Sequence, residues 1–153
     1  MKELKDLLRE QIFFESLSEN MLDFIAGCGQ NQHFKPGEYL GREGSLANFF
    51  YIIRSGKVAV QLHHPKRGAL TIWTLTPGEY GGFSWIIPPY RMQFDLKAVE
   101  HTSVVALDGK CLRAKCQEDY QLGYLLMQQS AMIMEKRLQE TRIQLLDVYS
   151  SPI

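Results

Sequence analysis

Cysteine is scarce in this sequence. Three occur in 153 residues, Cys28, Cys111 and Cys116, an odd number scattered along the chain. Small secreted domains use even sets, so the count favours free thiols in a reducing cytoplasm. It also falls short of the about four cysteines that an iron–sulfur cluster needs. Cys111 and Cys116 are close enough to be neighbours on one helix. That leaves a reactive pair open beside the reading of buried free thiols. Excess charge of one sign is missing too: 17 Lys and Arg balance 17 Asp and Glu, and the pI is near 6.9. A strongly basic nucleic-acid module is excluded, though a local patch is not. No stretch approaches the about 18 consecutive apolar residues of a membrane span. Residues 1–10 mix charges with leucines and lack the apolar core of a signal peptide. Histidines number four, His33, His63, His64 and His101. His63 and His64 are adjacent and point to opposite faces of a strand, which disfavours a cupin-type metal centre. No haem-attachment motif accompanies His33 or His101. Gly-x-Ser-x-Gly, P-loop and His-Glu-x-x-His motifs are absent. The chain therefore does not read as an enzyme, and no metal or resident cofactor is expected.

What is present is a globular composition, 45% hydrophobic and 22% charged. A chain of this length buries roughly 70% of its unfolded surface, so a single domain over 1–153 needs no staples. Three zones emerge from the spacing. Zone 1–32 is helical, with Leu4, Leu7 and Leu8 on one stripe and Leu17, Met21, Leu22, Phe24 and Ile25 on another. Ser18 starts the second helix, or Ser16 through a capping box with Glu19, and Gly27 or Gly29 ends it. Zone 33–108 is β-structure. Eight of the twelve glycines lie between Gly37 and Gly82, and five of the six prolines between Pro36 and Pro89. Turns that frequent suit a barrel or a sandwich. Residues 49–53 are a continuous apolar run. Val58, Val60 and Leu62 alternate with Ala59, Gln61 and His63, as in a half-buried strand. Further strands are predicted over 70–75, 94–98 and 104–107.

Zone 109–149 returns to helix, a short piece over 110–116 and a long one from about 120 to 148. On the long helix a seam recurs at spacings of three and four: Tyr124, Met127, Ala131, Met134, Leu138, Thr141, Leu145 and Val148. A second face carries Leu122, Leu125, Leu126 and Ile133 and turns polar at Gln129, Arg137 and Glu140. One face would pack on the strands and the seam on a second copy, making a homodimer. The alternative is one wide core face on a monomer.

Phe34-Lys35-Pro36-Gly37-Glu38-Tyr39-Leu40, Arg42-Glu43-Gly44 and Phe50-Tyr51-Ile52-Ile53-Arg54-Ser55-Gly56-Lys57-Val58 come in order. Leu75-Thr76-Pro77-Gly78-Glu79-Tyr80-Gly81, Arg91 and Ala98 come after them. As a set they resemble the cyclic-nucleotide-binding domain of the CRP/FNR regulator family, over roughly residues 15–148. Gly37, Gly44, Gly56 and Gly78 suit turns that need positive φ. The resemblance implies a mainly β fold, a double-stranded β-helix (jelly-roll) barrel with flanking N-terminal helices. It also implies a long C-terminal helix that often dimerises.

The same resemblance implies a ligand site between two strands. In such domains a short segment holds the cyclic phosphate on backbone N–H groups. It carries a Gly-Glu pair followed by an Arg, the Glu accepting from the ribose 2′-OH and the Arg meeting the phosphate. Here Arg91 stands nine residues after Gly82. Gly81 then matches the glycine, Gly82 falls where the Glu belongs, and Arg91 matches the Arg. Met92 and Gln93 replace the small residues usual after that Arg. Glu79 is another carboxylate, but it lies in the preceding turn. The expected ligand-binding set is Gly81, Gly82, Phe83, Ser84, Arg91, Met92 and Gln93. A hydrogen bond to a charged acceptor contributes about 1.5–3 kcal/mol, so its loss weakens binding roughly ten- to a hundredfold. Tight cyclic AMP binding is therefore not expected.

The expected function is a stand-alone sensor or regulatory module. It would bind another small anionic ligand or nucleotide and signal through the helix dimer to a regulatory protein partner. Regulators of the family carry a helix-turn-helix domain after the long helix. Here the chain ends at Ser150-Ser151-Pro152-Ile153, so direct DNA binding is not expected, nor is membrane association. Two readings of the pocket stay open. Arg91 holds a ligand anion, or it pairs with Asp95 or Glu79 in a closed pocket. Trp85 and Tyr90 stack on a planar ligand, or they plug the mouth. A closed pocket would make the chain a ligand-free interaction module. A cupin-like metalloenzyme is the weaker third reading.

Overall fold

Turn residues so closely spaced between Pro36 and Pro89 leave no room for an α-helix, and the chain there forms short strands. The computed structural model describes residues 3–150. Positions 1–2 and 151–153, which the sequence reading counts within the domain, lie outside the described residues. The strands are β1 Gly29–Phe34, β2 Tyr39–Gly41, β3 Phe49–Ser55, β4 Val58–His64, β5 Gly68–Leu75, β6 Tyr80–Gly81, β7 Asp95–Ala98 and β8 Thr102–Asp108. All pair antiparallel, in two four-stranded sheets of order β1-β8-β3-β6 and β2-β7-β4-β5. The jelly-roll class holds, but the sheets do not close into the expected barrel. Edge strands explain this. β6 has two residues, β2 has three with a shifted register, and no ladder joins one sheet to the other.

The continuous apolar run at 49–53 has a direct cause. β3 lies between β8 and β6 in a sheet that has helices on one face and the second sheet on the other, so both of its faces are covered. Phe50 and Ile52 enter one core, against the helices, while Tyr51 and Ile53 enter a second core between the sheets. β8 divides in the same way, Val105 and Leu107 to the helices, Val104 and Ala106 to the sheets. β1 begins at Gly29, four residues before the expected β zone. Its sequence is polar because it is an edge strand, held by pairing with β8 rather than by apolar burial.

Among the described residues four α-helices flank the sheets: α1 Leu4–Arg9, α2 Glu19–Ala26, α3 Gly109–Glu118 and α4 Tyr120–Ser150. Ser18 caps α2, its side chain accepting from the Met21 N–H at 3.2 Å, and Gly27 is the C-cap residue. Asp108 caps α3 through the Cys111 N–H at 2.8 Å, and Asp119 accepts from the Leu122 N–H at 3.2 Å in the first turn of α4. Leu122, Leu126 and Ser130 bury one side of α4, whereas every residue from Leu138 to Ser150 is exposed. Among the described residues no helix is long and apolar enough to cross a membrane.

The expectation of three free thiols is overturned. Cys28 and Cys111 form a disulfide with Cα atoms 5.6 Å apart, leaving Cys116 as the free cysteine. The two are 83 residues apart, and strand pairing brings them together. Gly29 lies opposite Leu107, and the Asp108 N–H donates to the Cys28 carbonyl at 2.9 Å. The first turn of α3 then carries Cys111 back over Cys28. A reactive Cys111–Cys116 pair is likewise excluded, and the cysteine count no longer argues for a reducing compartment.

Candidate functional site

Gly82 has φ 87°, and a Cβ added there would lie 2.6 Å from the Phe49 carbonyl oxygen. This left-handed turn sends the chain from β6 into the short 3₁₀ helix Phe83–Trp85. Between that turn, the second sheet and α4 lies a cavity of about 330 Å³. β4 and β5 contribute Val60 and Trp73. The turn and the 3₁₀ segment after it contribute Gly81, Gly82, Phe83, Ser84 and Ile87. The chain into and along β7 adds Met92, Gln93, Phe94 and Leu96, and α4 closes the wall with Met134, Arg137, Leu138 and Thr141.

Six of the seven residues expected at the site line this cavity; Arg91 does not. Its Nη1 donates to the Gly44 carbonyl at 3.2 Å, and its backbone bridges Leu46. Neither carboxylate weighed as its partner is used. Asp95 accepts from the Glu43 N–H at 2.7 Å and faces Arg42 at 3.5 Å, while Glu79 accepts from the Thr76 N–H and hydroxyl. Trp85 and Tyr90 also lie outside the lining. Trp85 is buried in the helical core, and the Arg113 guanidinium sits 4.1 Å from the centre of the Tyr90 ring. The aromatic walls are instead Trp73, Phe83 and Phe94.

Arg137 is the residue that sequence reasoning misses. By sequence it marks the point where the second face of α4 turns polar. Leu122, Leu126, Ser130, Ile133 and Arg137 succeed one another at spacings of four and three, so Arg137 continues the inward face. Its Nη2 donates to the Tyr80 carbonyl at 2.6 Å. The guanidinium carbon lies 5.2 Å from the Phe83 ring centre and 5.6 Å from that of Trp73. Burial pulls this group below the ordinary arginine value, and the fields of Glu79 and Glu140 oppose that pull. Among the described residues no carboxylate lies within 4.0 Å of it. It is also the one charged side chain in the cavity lining.

The seam meets two environments. All of its residues but the half-buried Met134 are exposed, and Met134, Leu138 and Thr141 also reach the cavity wall. The histidines do not converge. His33 bonds the Ser103 hydroxyl at 2.8 Å, and His64 Nδ1 accepts from the Lys66 and Arg67 N–H groups. Among the described residues no three His, Cys, Asp or Glu side chains cluster to hold a metal.

Two antiparallel sheets, a glycine turn and a long helix bound a small cavity in a domain of jelly-roll type. The chain belongs to the cyclic nucleotide-binding domain family, whose model matches residues 31–119. Its structural neighbours are of the CRP/FNR type. A putative cyclic nucleotide-binding protein from Geobacter metallireducens superposes with TM-score 0.80 at 28% identity, covering 88% of this chain and 97% of that one. The catabolite activator protein of Thermus thermophilus gives TM-score 0.71 at 25% identity, covering 90% of this chain and 62% of that one. A cGMP-dependent protein kinase of Toxoplasma gondii is 28% identical over 141 residues, 92% of this chain. The chain spans only 13% of that kinase's length.

Proposed function

We propose that this protein is a non-catalytic sensor module that holds a small ligand between Gly81–Ser84 and α4 and does not bind cyclic AMP tightly. The observation that carries this is the cavity lining, which contains no carboxylate. The family's Gly-Glu pair begins with a glycine, and two adjacent glycines stand here, Gly81 and Gly82. If Gly82 plays that part, the next residue is Phe83; if Gly81 does, the next is Gly82. Neither register supplies an acceptor for a ribose hydroxyl. An open volume of about 330 Å³ supports a ligand site over a closed interaction module. Because α4 provides one wall, occupancy biases the position of the helix that also carries the exposed seam. The seam is suited to a second copy, and through it to a regulatory protein partner. Direct DNA reading is not part of this proposal.

Calorimetric titration with cyclic AMP and cyclic GMP tests it. The expected result is no saturable binding at micromolar concentration. A micromolar or tighter constant for either nucleotide overturns the exclusion. Hydrogen exchange that leaves α4 unchanged when the cavity is filled overturns the signalling role.

A further inference from the structure

Two unsatisfied groups at one cavity narrow the choice of ligand, resting on the sensor reading. Arg137 presents a fork of N–H donors and makes one side-chain hydrogen bond among the described residues, to the Tyr80 carbonyl. Two aromatic faces flank it, and among the described residues no carboxylate pairs with it directly, Glu79 and Glu140 acting only as more distant charges. Trp73, on the same lining, has a buried indole N–H with no acceptor. Arg137 is half-buried with no direct ion pair, and a part-desolvated charge of this kind, like a buried donor without a partner, is improved by an incoming acceptor. Both deficits are cancelled by one acceptor-bearing anion.

The rest of the wall sets the ligand's body. Phe83, Phe94 and Met134 are apolar, and the cavity holds a single cation with no second to balance a dianion. A phosphate monoester or dicarboxylate would leave charge unmatched, a cyclic phosphodiester lacks the carboxylate its ribose hydroxyl needs here, and a carboxylate fits a guanidinium fork with two parallel hydrogen bonds. We propose that the cavity takes an apolar, planar monocarboxylate, its ring between the aromatic walls and its carboxylate on Arg137. Arg137 lies on α4, so this ligand contacts the signalling helix directly through its charge.

Indole-3-acetate and its uncharged amide are matched probes for calorimetry on the whole chain, with cyclic AMP as comparator. The carboxylate should bind saturably and at least about tenfold more tightly than the amide, the effect of one charge-assisted hydrogen-bond set. Arg137→Gln should erase the preference, and Arg137→Lys should keep part of it. The comparison of the two probes on the unaltered protein stands even if a variant folds poorly. Equal binding of acid and amide overturns the anion assignment and leaves the sensor reading in place. Micromolar cyclic AMP binding without carboxylate binding overturns the ligand class, and with it the exclusion of cyclic nucleotides. Silence from every probe overturns the present proposal; hydrogen exchange of α4 then decides whether the sensor reading falls with it.

Discussion

Gly82 shows how one backbone angle constrains the site. A side chain there meets both an unfavourable φ of 87° and the Phe49 carbonyl. Gly82→Glu, which by sequence alone restores a family carboxylate, should therefore destabilise the fold by about 1–3 kcal/mol or more and create no cyclic AMP site. Thermal melts and nucleotide titration of that variant check both halves. Cys116 allows a second residue-scale prediction. Burial, aided by the nearby Asp119 charge, pushes its thiol up to about 11. At about pH 8 only about one molecule in a thousand is then thiolate, and the thiolate is the reactive form. Alkylation of the native protein by iodoacetamide should be slow and rise tenfold per pH unit up to about pH 11, read by mass spectrometry. A rate that levels off near neutral pH would contradict it.

Among the elements, the N-terminal helices are tied to the rest in two different ways. One tie is covalent, since the Cys28–Cys111 disulfide joins the end of α2 to the first turn of α3. Breaking it by reduction, or by Cys28→Ser, should cost about 2–4 kcal/mol, read as a lower urea midpoint. Labelling in denaturant should find one thiol per chain before reduction and three after it. The other tie is ionic. Lys5 reaches Glu19 and Asp23, and Arg9 reaches Glu19 and Asp6, all within 3.0 Å. The Arg9 and Lys5 hydrogen bonds hold the Glu19 carboxyl down to about 2. A depressed carboxyl contributes stability that is fully present above its ordinary value near 4.5 and lost as pH falls through about 2. The ion pairs lie at the surface, with the Glu19 and Asp23 carboxylates exposed, so salt screens the effect. Amide exchange in α1 and α2 should accelerate relative to α3 across that window, and less so in high salt.

Over the whole molecule, α4 joins cavity and surface. Its outer turns expose Ile143, Leu145, Leu146, Val148 and Tyr149, each more than half accessible. Of these, Leu145 and Val148 continue the seam spacing from the exposed Leu138, exposed apolar side chains in a row mark a candidate interface, and we propose the homodimer seam there. Sedimentation should find a dimer, and Leu145→Asp should shift it to monomer without loss of helical circular dichroism. A monomeric parent protein at high concentration would sink this reading. Met134, Leu138 and Thr141 belong to both the seam spacing and the cavity wall, so ligand and dimer would share one helix. A ligand with different affinity for the two helix positions would then change assembly, and assembly would change its affinity in return.

Local chemistry makes much of the fold legible. Gly37, Gly44, Gly56 and Gly78 all adopt the positive φ expected of turn glycines. Ser18 caps its helix, and the continuous apolar run at 49–53 lies within β3 in the β zone. Such features depend on neighbours a few residues apart, and a sequence displays those directly. The site is legible only as a segment. Gly81 to Ser84 with Met92 and Gln93 meet at one cavity because two turns flank it, but the cation there comes from a helix more than forty residues further on. Arg91 and Arg137 are chemically alike, and no spacing rule tells which one a cavity will enclose. The pairing of Cys28 with Cys111 has the same character, since only the β1–β8 register brings them together. Strands, caps, turns and family are thus written in short-range order along the chain. Which charge reaches the cavity is settled by packing, because burial arises between elements that the chain separates.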